Sequence, residues 1–382
     1  MAFTAADHLY MTRALQLAEQ GLFSTTPNPR VGCVIVKNSK IVGEGAHLKA
    51  GAPHAEVFAL KQAGAAAIGA TLYVTLEPCN HLGRTPPCAQ AIIDAGITEV
   101  ICSMQDPNPL VAGQGLAHLQ ANHIKVASGL MQAQAEALNP GFISRMIKNK
   151  PFIRSKIASS LDGKTALANG ESKWITSDEA RADVQNWRAR SCVILTGIGT
   201  VLADNPRMSV RARSNSPSIL TGEGWGEGWR NGAAIRQPLK VIVDSDLRTP
   251  IDAQILQGGN VLIAFAKDAE LKSAQLLSAG AELLCIPNEH GRVCLKTLLS
   301  HLTSQQINEV LVEGGEGLNG ALLQAGLIDE LIIYYAPKLM GSAAKGLFAL
   351  PEITQMKQAI ALQIIDLRQI GPDIRLRAKP LC

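Results

Sequence analysis

Aromatic residues are scarce in this sequence, and neither sign of charge dominates it. Phe, Trp and Tyr make up 4% of the chain, and 36 basic residues stand against 32 acidic ones, which gives a formal net charge of +4. A nucleic-acid surface is usually basic with interleaved aromatic side chains, and a membrane surface is usually strongly basic. The composition therefore points to small-molecule substrates, with no nucleic acid and no membrane as partner.

No membrane span, signal peptide or disulfide framework is expected either. No stretch reaches the roughly 20 apolar residues of a span, and Asp7, Arg13 and Glu19 interrupt the apolar N-terminal segment. The eight cysteines stand at 33, 79, 88, 102, 192, 285, 294 and 382, mostly alone in apolar runs. Isolated cysteines of this kind are typically free and buried, so we expect a cytoplasmic protein.

Two domains of α/β type are indicated by length and by the order of the predicted elements. The chain has 382 residues, of which 47% are hydrophobic, and strand-like segments alternate with helical ones in both halves. This alternation predicts largely parallel sheets covered by helices. A basic stretch that ends at Pro151 marks a change of character, so we predict domains at 1–149 and 150–382, with a strand at 330–341 closing the core of the second.

Three local predictions can be checked directly. The first 20 residues are expected to form a helix that ends at Gly21, and strands at 31–36 and 40–47 to form a hairpin. The segment 192–206 is expected to be a strand followed by a loop. The repeat GEGWGEGWRNG (222–232) is expected to be a surface insertion, although its tryptophans, Trp225 and Trp229, could instead stack on a ligand.

A metal site is predicted around the local pair of cysteines. Cys79 ends a strand-like run, Cys88 opens a helical one after two prolines, and His54 lies where another helix begins. Two thiolates and an imidazole suit zinc, and three protein ligands leave the fourth position for water, as in catalytic sites. A helix that begins at Cys88 would also stabilise a thiolate there. The alternatives are a closed zinc site or three unrelated core residues.

Glu56, two residues after His54, is the candidate catalytic residue. Zinc can lower the pKa of its bound water to about 7, and a carboxylate can move the proton to a ring nitrogen and then to leaving ammonia. His-x-Glu followed by Pro-Cys and a second Cys is the pattern of zinc nucleobase deaminases. In this chain eight residues separate the cysteines, where that pattern has two.

The first half carries TPNPRVG (26–32), HAE (54–56) and EPCNHLGRTPPC (77–88). With these motifs it resembles the bifunctional deaminase/reductases of riboflavin biosynthesis. The resemblance implies a cytidine-deaminase-like α/β/α domain, with zinc on His54, Cys79 and Cys88. It further implies that substrate is contacted by Asn28, His81 and Arg84. Otherwise, Asn28 is a turn residue between prolines, and the other two are solvated loop residues.

The second half carries KIASSLDGKTA (156–166), ESKWITS (171–177), TGIGTVLADNPRMSVR (196–211), VIVDS (241–245) and VEGGEGLNGALL (312–323). It resembles the reductase half of the same family, with a dihydrofolate-reductase-like α/β fold. The glycines between a strand and a helix in EGGEGLNG suit a phosphate at backbone N–H groups, although a plain turn is the alternative.

The resemblance also implies the ligands of the reductase residues. The residues expected to face NADPH are Ala158, Trp174, Thr200, Asp204, Ser245, Gly315, Glu316, Gly317, Leu318, Asn319, Gly320 and Ala321. Those expected to face the substrate are Ser160, Ser172, Arg188, Met208, Arg211 and Glu313. Arg188 and Arg211 suit a clamp for the ribose 5-phosphate, because guanidinium groups bind phosphate bidentately. Otherwise, Arg188 and Arg211 are solvated arginines, which suits Arg188 on its charged helix better, and Trp174 is a core aromatic.

The sequence thus predicts a cytoplasmic, bifunctional enzyme with Zn²⁺ and NADPH as cofactors. The first domain would remove ammonia from C2 of 2,5-diamino-6-(5-phosphoribosylamino)pyrimidin-4-one, and the second would reduce the ribosyl group of 5-amino-6-(5-phosphoribosylamino)uracil to ribityl. Asp204, Lys156 and Glu313 are the candidate proton donors of the reduction. A homo-oligomer is the usual form of the family. The alternatives are a nucleic-acid base deaminase and a non-catalytic module with a vestigial zinc site.

Overall fold

The computed structural model describes residues 3–80, 87–211 and 236–381. These residues form two compact units, which divide between Asn149 and Lys150. Within the described part of the chain, no helix combines the length and the apolar character needed to cross a bilayer. His81, Arg84, the GEGW repeat and Cys382 lie outside the described residues.

The first unit is a five-stranded sheet with helices. Its strands are β1 (Gly32–Lys37), β2 (Lys40–Ala46), β3 (Thr71–Val74), β4 (Glu99–Cys102) and β5 (Lys125–Ser128), and its helices are α1 (Ala5–Glu19), α2 (Ala55–Ala63), α3 (Cys88–Asp94), α4 (Gln114–Ala121), α5 (Gln132–Leu138) and α6 (Pro140–Lys148). The strand order is β2-β1-β3-β4-β5. β1 is antiparallel to both β2 and β3, whereas β3, β4 and β5 are parallel.

The predicted first helix and first hairpin are both present. Thr4 caps α1 in a capping box with Asp7, which satisfies backbone donors at the start of the helix. Between β1 and β2, Asn38 and Ser39 have φ of 50° and 60°. Two left-handed residues form the turn whose twist matches a two-residue hairpin, and Asn is one of the residues that adopt this conformation most readily.

Glycines let the helices approach the sheet at van der Waals distance from its backbone. A Cβ at Gly32 would lie 1.9 Å from the Ala14 carbonyl oxygen of α1, and a Cβ at Gly45 would lie 2.0 Å from the Ala55 oxygen of α2. Only glycine allows contacts this close. The N-terminus of α2, where His54 and Glu56 lie, is therefore fixed against β2 by backbone contact.

The second unit is a nine-stranded sheet with helices. Its strands are β6 (Phe152–Ser160), β7 (Val193–Gly197), β8 (Leu239–Val243), β9 (Val261–Phe265), β10 (Ala281–Cys285), β11 (Glu309–Val312), β12 (Glu330–Ala336), β13 (Ala361–Ile370) and β14 (Asp373–Leu381), and its helices are α7 (Asp178–Arg190), α8 (Ile198–Asp204), α9 (Glu270–Ser278), α10 (Leu295–Ser304) and α11 (Glu316–Gln324). The order is β10-β9-β8-β7-β11-β6-β12-β14-β13, parallel except for the pairings of β14 with β12 and β13.

Two local predictions for this unit were wrong. The residues after β7 form the helix α8 and not a loop, because Ile198 and Val201 bury one side of a short apolar turn. The strand predicted at 330–341 ends at Ala336 and does not complete the core, since β14 and β13 continue the sheet beyond β12 as a long hairpin. β13 contains Ile and Leu at exposed positions, so it lacks the buried-face pattern by which strands are recognised.

Buried ion pairs connect four neighbouring strands at one end of this sheet. Arg154 on β6 contacts Glu309 on β11 and, at 3.0 Å, Glu330 on β12. Glu330 also accepts from Arg377 on β14 at 2.5 Å, and Glu309 accepts from Arg190 of α7 at 2.8 Å. Arg154 and both carboxylates are almost completely buried. Each of the two buried carboxylates thus bridges two basic side chains.

Candidate active sites

Three metal-binding atoms converge in the first unit. The His54 Nδ1 atom lies 3.3 Å from the Cys88 sulfur and 3.6 Å from the Cys79 sulfur, and all three atoms lie within 4.8 Å of one another. His54 is the residue before α2, Cys88 is the first residue of α3, and Cys79 follows β3. The structure therefore brings together the three residues predicted as zinc ligands.

Glu77, which the sequence analysis did not single out, holds the loop before Cys79. Its buried carboxylate accepts from the backbone N–H groups of Gly113 and Gly115, both at 2.9 Å, and from those of Asp106 and Leu116. These contacts tie the start of α4 to the end of the β3 segment. The only sequence signal for this role is the position of Glu77 beside Pro78 and Cys79.

The two sulfurs differ in their readiness to lose a proton. A hydrogen bond from Cys88 lowers the pKa of the Cys79 thiol to about 4, with further help from His54 and the Cys88 backbone N–H. The same hydrogen bond, together with burial, raises the pKa of Cys88. The helix does begin at Cys88 as expected, but the N–H that opens it points to the Cys79 sulfur, at 3.4 Å. The N–H at the helix start thus adds to the stabilisation of a thiolate at Cys79.

Glu56 is buried beside the cluster of His54, Cys79 and Cys88, and one of its two carboxylate oxygens lacks a hydrogen bond from the described residues. Its Oε2 atom has no hydrogen-bond partner among the described residues, and burial raises the pKa of the carboxyl group. Two sulfurs and an imidazole nitrogen form a donor set typical of zinc, and a buried carboxylate oxygen with no protein partner suits contact with a small polar ligand. The residues present therefore fit a zinc ion with a general acid–base beside it.

His47 connects Asn28 with the cluster. The Asn28 Nδ2 atom lies 3.1 Å from His47 Nε2, while His47 Nδ1 lies 3.1 Å from the Pro53 carbonyl oxygen. Because only a protonated Nδ1 can donate to that carbonyl, Nε2 accepts from the Asn28 amide. The His47 ring packs edge-on against His54, at 5.5 Å. A lone histidine at a strand end has no motif, so the sequence did not identify it.

A cleft of about 1080 Å³ lies at the carboxyl ends of the parallel strands in the second unit. The residues predicted for this site that line it are Ala158, Ser172, Trp174, Arg188, Thr200, Asp204, Met208, Arg211, Ser245, Glu313, Gly315, Glu316, Gly317, Leu318 and Ala321. Three others do not line it. Ser160 is buried against Asp162, Asn319 bonds Ser155, and Gly320 packs against the Ala349 backbone.

Arg188 is not a solvated arginine, because its guanidinium group is paired with a carboxylate that a substrate phosphate would have to displace or share. Its Nε and Nη2 atoms donate to the two oxygens of Glu313 at 2.6 and 2.9 Å, and Lys156 Nζ lies 3.8 Å from the same carboxylate. Burial raises the pKa of Glu313, but Arg188 and Lys156 more than offset this, so the pKa falls to about 2. Arg211 is exposed and does not join this pair.

Ser172 and Asp204 also meet at the cleft, where the Ser172 hydroxyl donates to the carboxylate at 2.9 Å. Trp174 is 67% exposed, which excludes a core role, and the Arg181 guanidinium carbon lies 4.6 Å from the centre of its ring. Its indole therefore presents an open flat face at the cleft.

The glycine-rich turn between β11 and α11 can receive a phosphate. Gly315 is the N-cap of α11, and a Cβ at Gly317 would meet nothing within 4 Å. A Cβ at Gly315 would meet only Thr200 Oγ1, at 4.0 Å. This open helix N-terminus fits the pyrophosphate of a dinucleotide, whose negative charge backbone N–H groups stabilise.

Together, the two sites define a zinc-dependent deaminase joined to a nicotinamide-dependent reductase. Comparison with known proteins agrees with this class. Residues 4–104 match the family model for the cytidine and deoxycytidylate deaminase zinc-binding region, and residues 151–376 match that for the RibD C-terminal domain. The second match alone covers more than half of the chain.

Relatives match over the full length of the chain. It is 48% identical to riboflavin biosynthesis protein RibD of Escherichia coli, covering 97% of this chain and 98% of that protein. It is 47% identical to RibD of Haemophilus influenzae, covering 100% and 99%. The chain belongs to the RibD family and is a bifunctional deaminase and reductase of riboflavin biosynthesis that uses zinc and NADPH.

Solved structures agree in fold. Acinetobacter baumannii RibD, form 1, is 45% identical with a TM-score of 0.87, and 99% of each chain is covered. A diaminohydroxyphosphoribosylaminopyrimidine deaminase/5-amino-6-(5-phosphoribosylamino)uracil reductase from Thermotoga maritima is 29% identical with a TM-score of 0.82, covering 98% and 99%. The expected α/β fold, with a cytidine-deaminase-like first domain and a reductase second domain, is thereby confirmed.

Proposed function

We propose that the two units, 1–149 and 150–382, carry out consecutive steps on one phosphoribosyl pyrimidine. The first would deaminate 2,5-diamino-6-(5-phosphoribosylamino)pyrimidin-4-one at C2. The second would use NADPH to reduce the ribosyl group of 5-amino-6-(5-phosphoribosylamino)uracil to a ribityl group. The name of the Thermotoga maritima protein supports both substrates. The observation that carries the first step is the buried Glu56 carboxylate beside the sulfur–imidazole cluster.

In the deaminase site, His54, Cys79 and Cys88 would hold the zinc ion. Bound zinc supplies a hydroxide nucleophile at neutral pH. Glu56 would first hold a proton on its unpartnered Oε2 and then deliver it to the ring nitrogen and to the leaving amine. Burial raises the pKa of this carboxyl group, which makes such shuttling easier near neutral pH. Asn28, held by His47, would orient the pyrimidine, as would His81 and Arg84 outside the described residues.

In the reductase site, the turn at 315–317 would bind the pyrophosphate of NADPH, with the other cofactor residues named above along the cleft. Lys156 and Asp204 remain candidate proton donors, whereas Glu313, with a pKa of about 2, would be ionised near neutral pH and have no proton to give. Lys156 lines the cleft beside Glu313, and burial lowers the pKa of its ammonium group, which eases proton release. Arg188 is engaged by Glu313, so a substrate phosphate would have to share it or bind at the exposed Arg211.

The assignment can be tested by following ammonia release and NADPH oxidation separately. Glu56→Gln should lower ammonia release by about 10²–10⁴-fold, because it removes the acid–base group. It should retain zinc and still oxidise NADPH when supplied with the deaminated intermediate. Glu136→Gln, an exposed change on α5, should leave both activities unchanged. A zinc-loaded wild type without ammonia release would instead support a non-catalytic module, and deamination of an oligonucleotide would support the nucleic-acid alternative.

We also propose that the protein forms a homo-oligomer through β13. Within the described residues this ten-residue strand is paired only with β14. Its free edge exposes apolar side chains: Ile364 is 65% exposed and Leu367 is 64% exposed. A long apolar edge of this kind favours pairing with another strand, and a second copy presents the same edge.

Sedimentation should therefore show a dimer for wild type and a monomer for Ile364→Lys/Leu367→Lys. Gln363→Lys on the same strand serves as the control and should stay dimeric. A wild type that sediments as a monomer at micromolar concentration would contradict the proposal.

We place the enzyme in the cytoplasm, as expected from the sequence. The reason is chemical: Cys79 and Cys88 must stay reduced to bind zinc, and their sulfurs lie close enough to hydrogen-bond each other. A cytosolic fraction with zinc-loaded protein is the expected result of cell fractionation.

A further inference from the structure

One side of helix α7 lines the reductase cleft. Arg181, Gln185 and Arg188 all border the cleft, and their spacing of four and three residues places them on the same side of the helix. Both arginines have carboxylate partners, because Arg181 contacts Asp178 and Arg188 is paired with Glu313. Gln185 therefore lies between two paired arginines, about one helical turn from each.

Two of these side chains also hold the segment 208–211, which borders the same cleft. The Gln185 Oε1 atom accepts a hydrogen bond from the backbone N–H of Arg211 at 3.1 Å. The Arg188 Nη1 atom donates to the Ser209 carbonyl oxygen at 3.2 Å. The main chain that carries Arg211 is therefore fixed against α7.

Gln237 holds the same segment from outside the cleft. Its Oε1 atom accepts from the N–H of Val210 at 2.9 Å, and its Nε2 atom donates to the carbonyl oxygen of Val210 at 3.0 Å. Both ends of its amide are thus used, and Gln237 is not among the described residues that line the cleft. It therefore holds the main chain in the way that Gln185 does, without presenting a group to the cleft.

The amide of Gln185 has one end that the described part of the protein does not use. An N–H group needs an acceptor, so the oxygen faces Arg211 and the NH₂ group takes the other position. No described residue accepts a hydrogen bond from this NH₂ group, although the side chain is only 9% exposed. Buried polar groups are nearly always hydrogen-bonded. Because Gln185 lines the cleft, a bound ligand is the expected acceptor.

The charges around Gln185 favour an anionic ligand. The Glu313 carboxylate lies 2.6 Å from Arg188 and 3.8 Å from Lys156, whereas Arg211 forms no ion pair with a described residue. Three basic groups and one carboxylate leave an excess of two positive charges. A phosphate monoester carries about −1.5 to −2 charges at pH 7. A phosphate group at this place would therefore balance the local charge.

We propose that Gln185 makes the reductase specific for a phosphorylated substrate. Its NH₂ group donates a hydrogen bond to the 5′-phosphate of the ribosyl group. Its Oε1 atom holds the main chain of Arg211, whose guanidinium group binds the same phosphate. Hydrogen bonds to an ionised acceptor are about twice as strong as neutral ones, so one amide contributes measurably to this choice. The inference rests on the proposed substrate and goes beyond it by assigning a role to Gln185.

Steady-state reduction by the full-length, zinc-loaded protein tests this. NADPH oxidation is followed with 5-amino-6-(5-phosphoribosylamino)uracil and with the same compound lacking the phosphate, at saturating NADPH. Gln185→Glu keeps an acceptor for the Arg211 N–H but replaces the NH₂ group by an oxygen, whereas Gln185→Leu removes both. Gln237→Leu is the matched control, because it loosens the same segment without removing a group from the cleft.

Gln185→Leu should lower kcat/KM for the phosphorylated substrate by about 10–100-fold, mainly through KM, since a hydrogen bond to a charged group is lost. Gln185→Glu should lower it at least as much, because its carboxylate repels the phosphate. With the substrate that lacks the phosphate, both variants should stay within about threefold of wild type. Gln237→Leu should affect both substrates alike. The dissociation constant of NADPH, measured by titration calorimetry, should be unchanged in all three variants, which also shows that they fold.

Gln185→Glu with the kcat/KM of wild type would overturn the proposal, since holding Arg211 would then suffice. Unchanged kcat/KM in Gln185→Leu, or equal losses on the two substrates, would also overturn it, because Gln185 would then not act on the phosphate. So would a wild type that reduces both substrates equally well. Failure of the proposed function gives a different result: wild type would then oxidise NADPH with neither substrate.

Discussion

Gly45→Ala should disable the deaminase without touching a zinc ligand. The added Cβ would lie 2.0 Å from the Ala55 carbonyl oxygen and 2.8 Å from the Ala59 nitrogen, whereas such contacts are essentially never shorter than 3.0 Å. Helix α2 must therefore retreat by about 1 Å. Ala55 lies between His54 and Glu56, so both move with it. A 1 Å misplacement of catalytic groups costs about 100-fold in rate, and overpacking costs about 1–3 kcal/mol of stability.

The assay follows ammonia release, zinc content and NADPH oxidation on one preparation. We expect about 100-fold slower ammonia release and weaker zinc retention, with unchanged reduction of the deaminated intermediate. Ile41→Val, at an exposed position of the same strand, is the control and should be silent. Full deaminase activity with full zinc occupancy in Gly45→Ala would refute the view that backbone contact fixes α2.

Two further predictions concern single carboxylates. Glu77→Gln should lower the unfolding free energy by about 2–4 kcal/mol, because an amide cannot accept hydrogen bonds from all four backbone N–H groups. The variant should also lose zinc to a chelator faster than wild type does. Equal rates of zinc loss in the two proteins would contradict this. Glu313 has a pKa of about 2, below its usual 4.5, so its ionic contribution is complete above pH 4.5 and is lost as pH falls toward 2. Urea unfolding should therefore show that the difference in unfolding free energy between wild type and Glu313→Gln shrinks by about 2 kcal/mol from pH 6 to pH 3. A difference that stays constant with pH would show that the ionised Glu313 carboxylate does not cause it.

Local signals in the sequence were sufficient for much of the fold and for the zinc cluster. The hairpin turn at Asn38 and Ser39, the capped α1 and the strand–helix alternation are all encoded within a few residues. The ligands His54, Cys79 and Cys88 follow from donor chemistry next to predicted element ends. For such features, neighbouring residues supply the physical cause.

Other features depend on contacts between distant residues. Arg188 and Glu313 are 125 positions apart in the sequence, and no residue near Arg188 on its charged helix predicts that they form an ion pair. His47 gains its role from Asn28 and Pro53, which only the folded chain brings near. In β13 the apolar residues Ile364, Ile365 and Leu367 are all exposed in the described part of the chain, so apolar and polar positions do not follow one buried face. In each case the contact that gives the residue its role is made with residues distant in the sequence.

The buried charges beneath the larger sheet also bear on how the chain reaches its fold. Arg154 meets carboxylates from the strands on both sides, so a slip of one residue in either pairing would turn a charge to the opposite face. A buried charge without its partner costs several kcal/mol. Misaligned strands in this sheet are therefore less stable, relative to the native alignment, than misaligned strands in a purely apolar sheet. We therefore expect the network to favour the native strand alignment during folding. Replacing it with apolar residues of similar volume should leave equilibrium stability nearly unchanged but lower the yield of active enzyme on refolding.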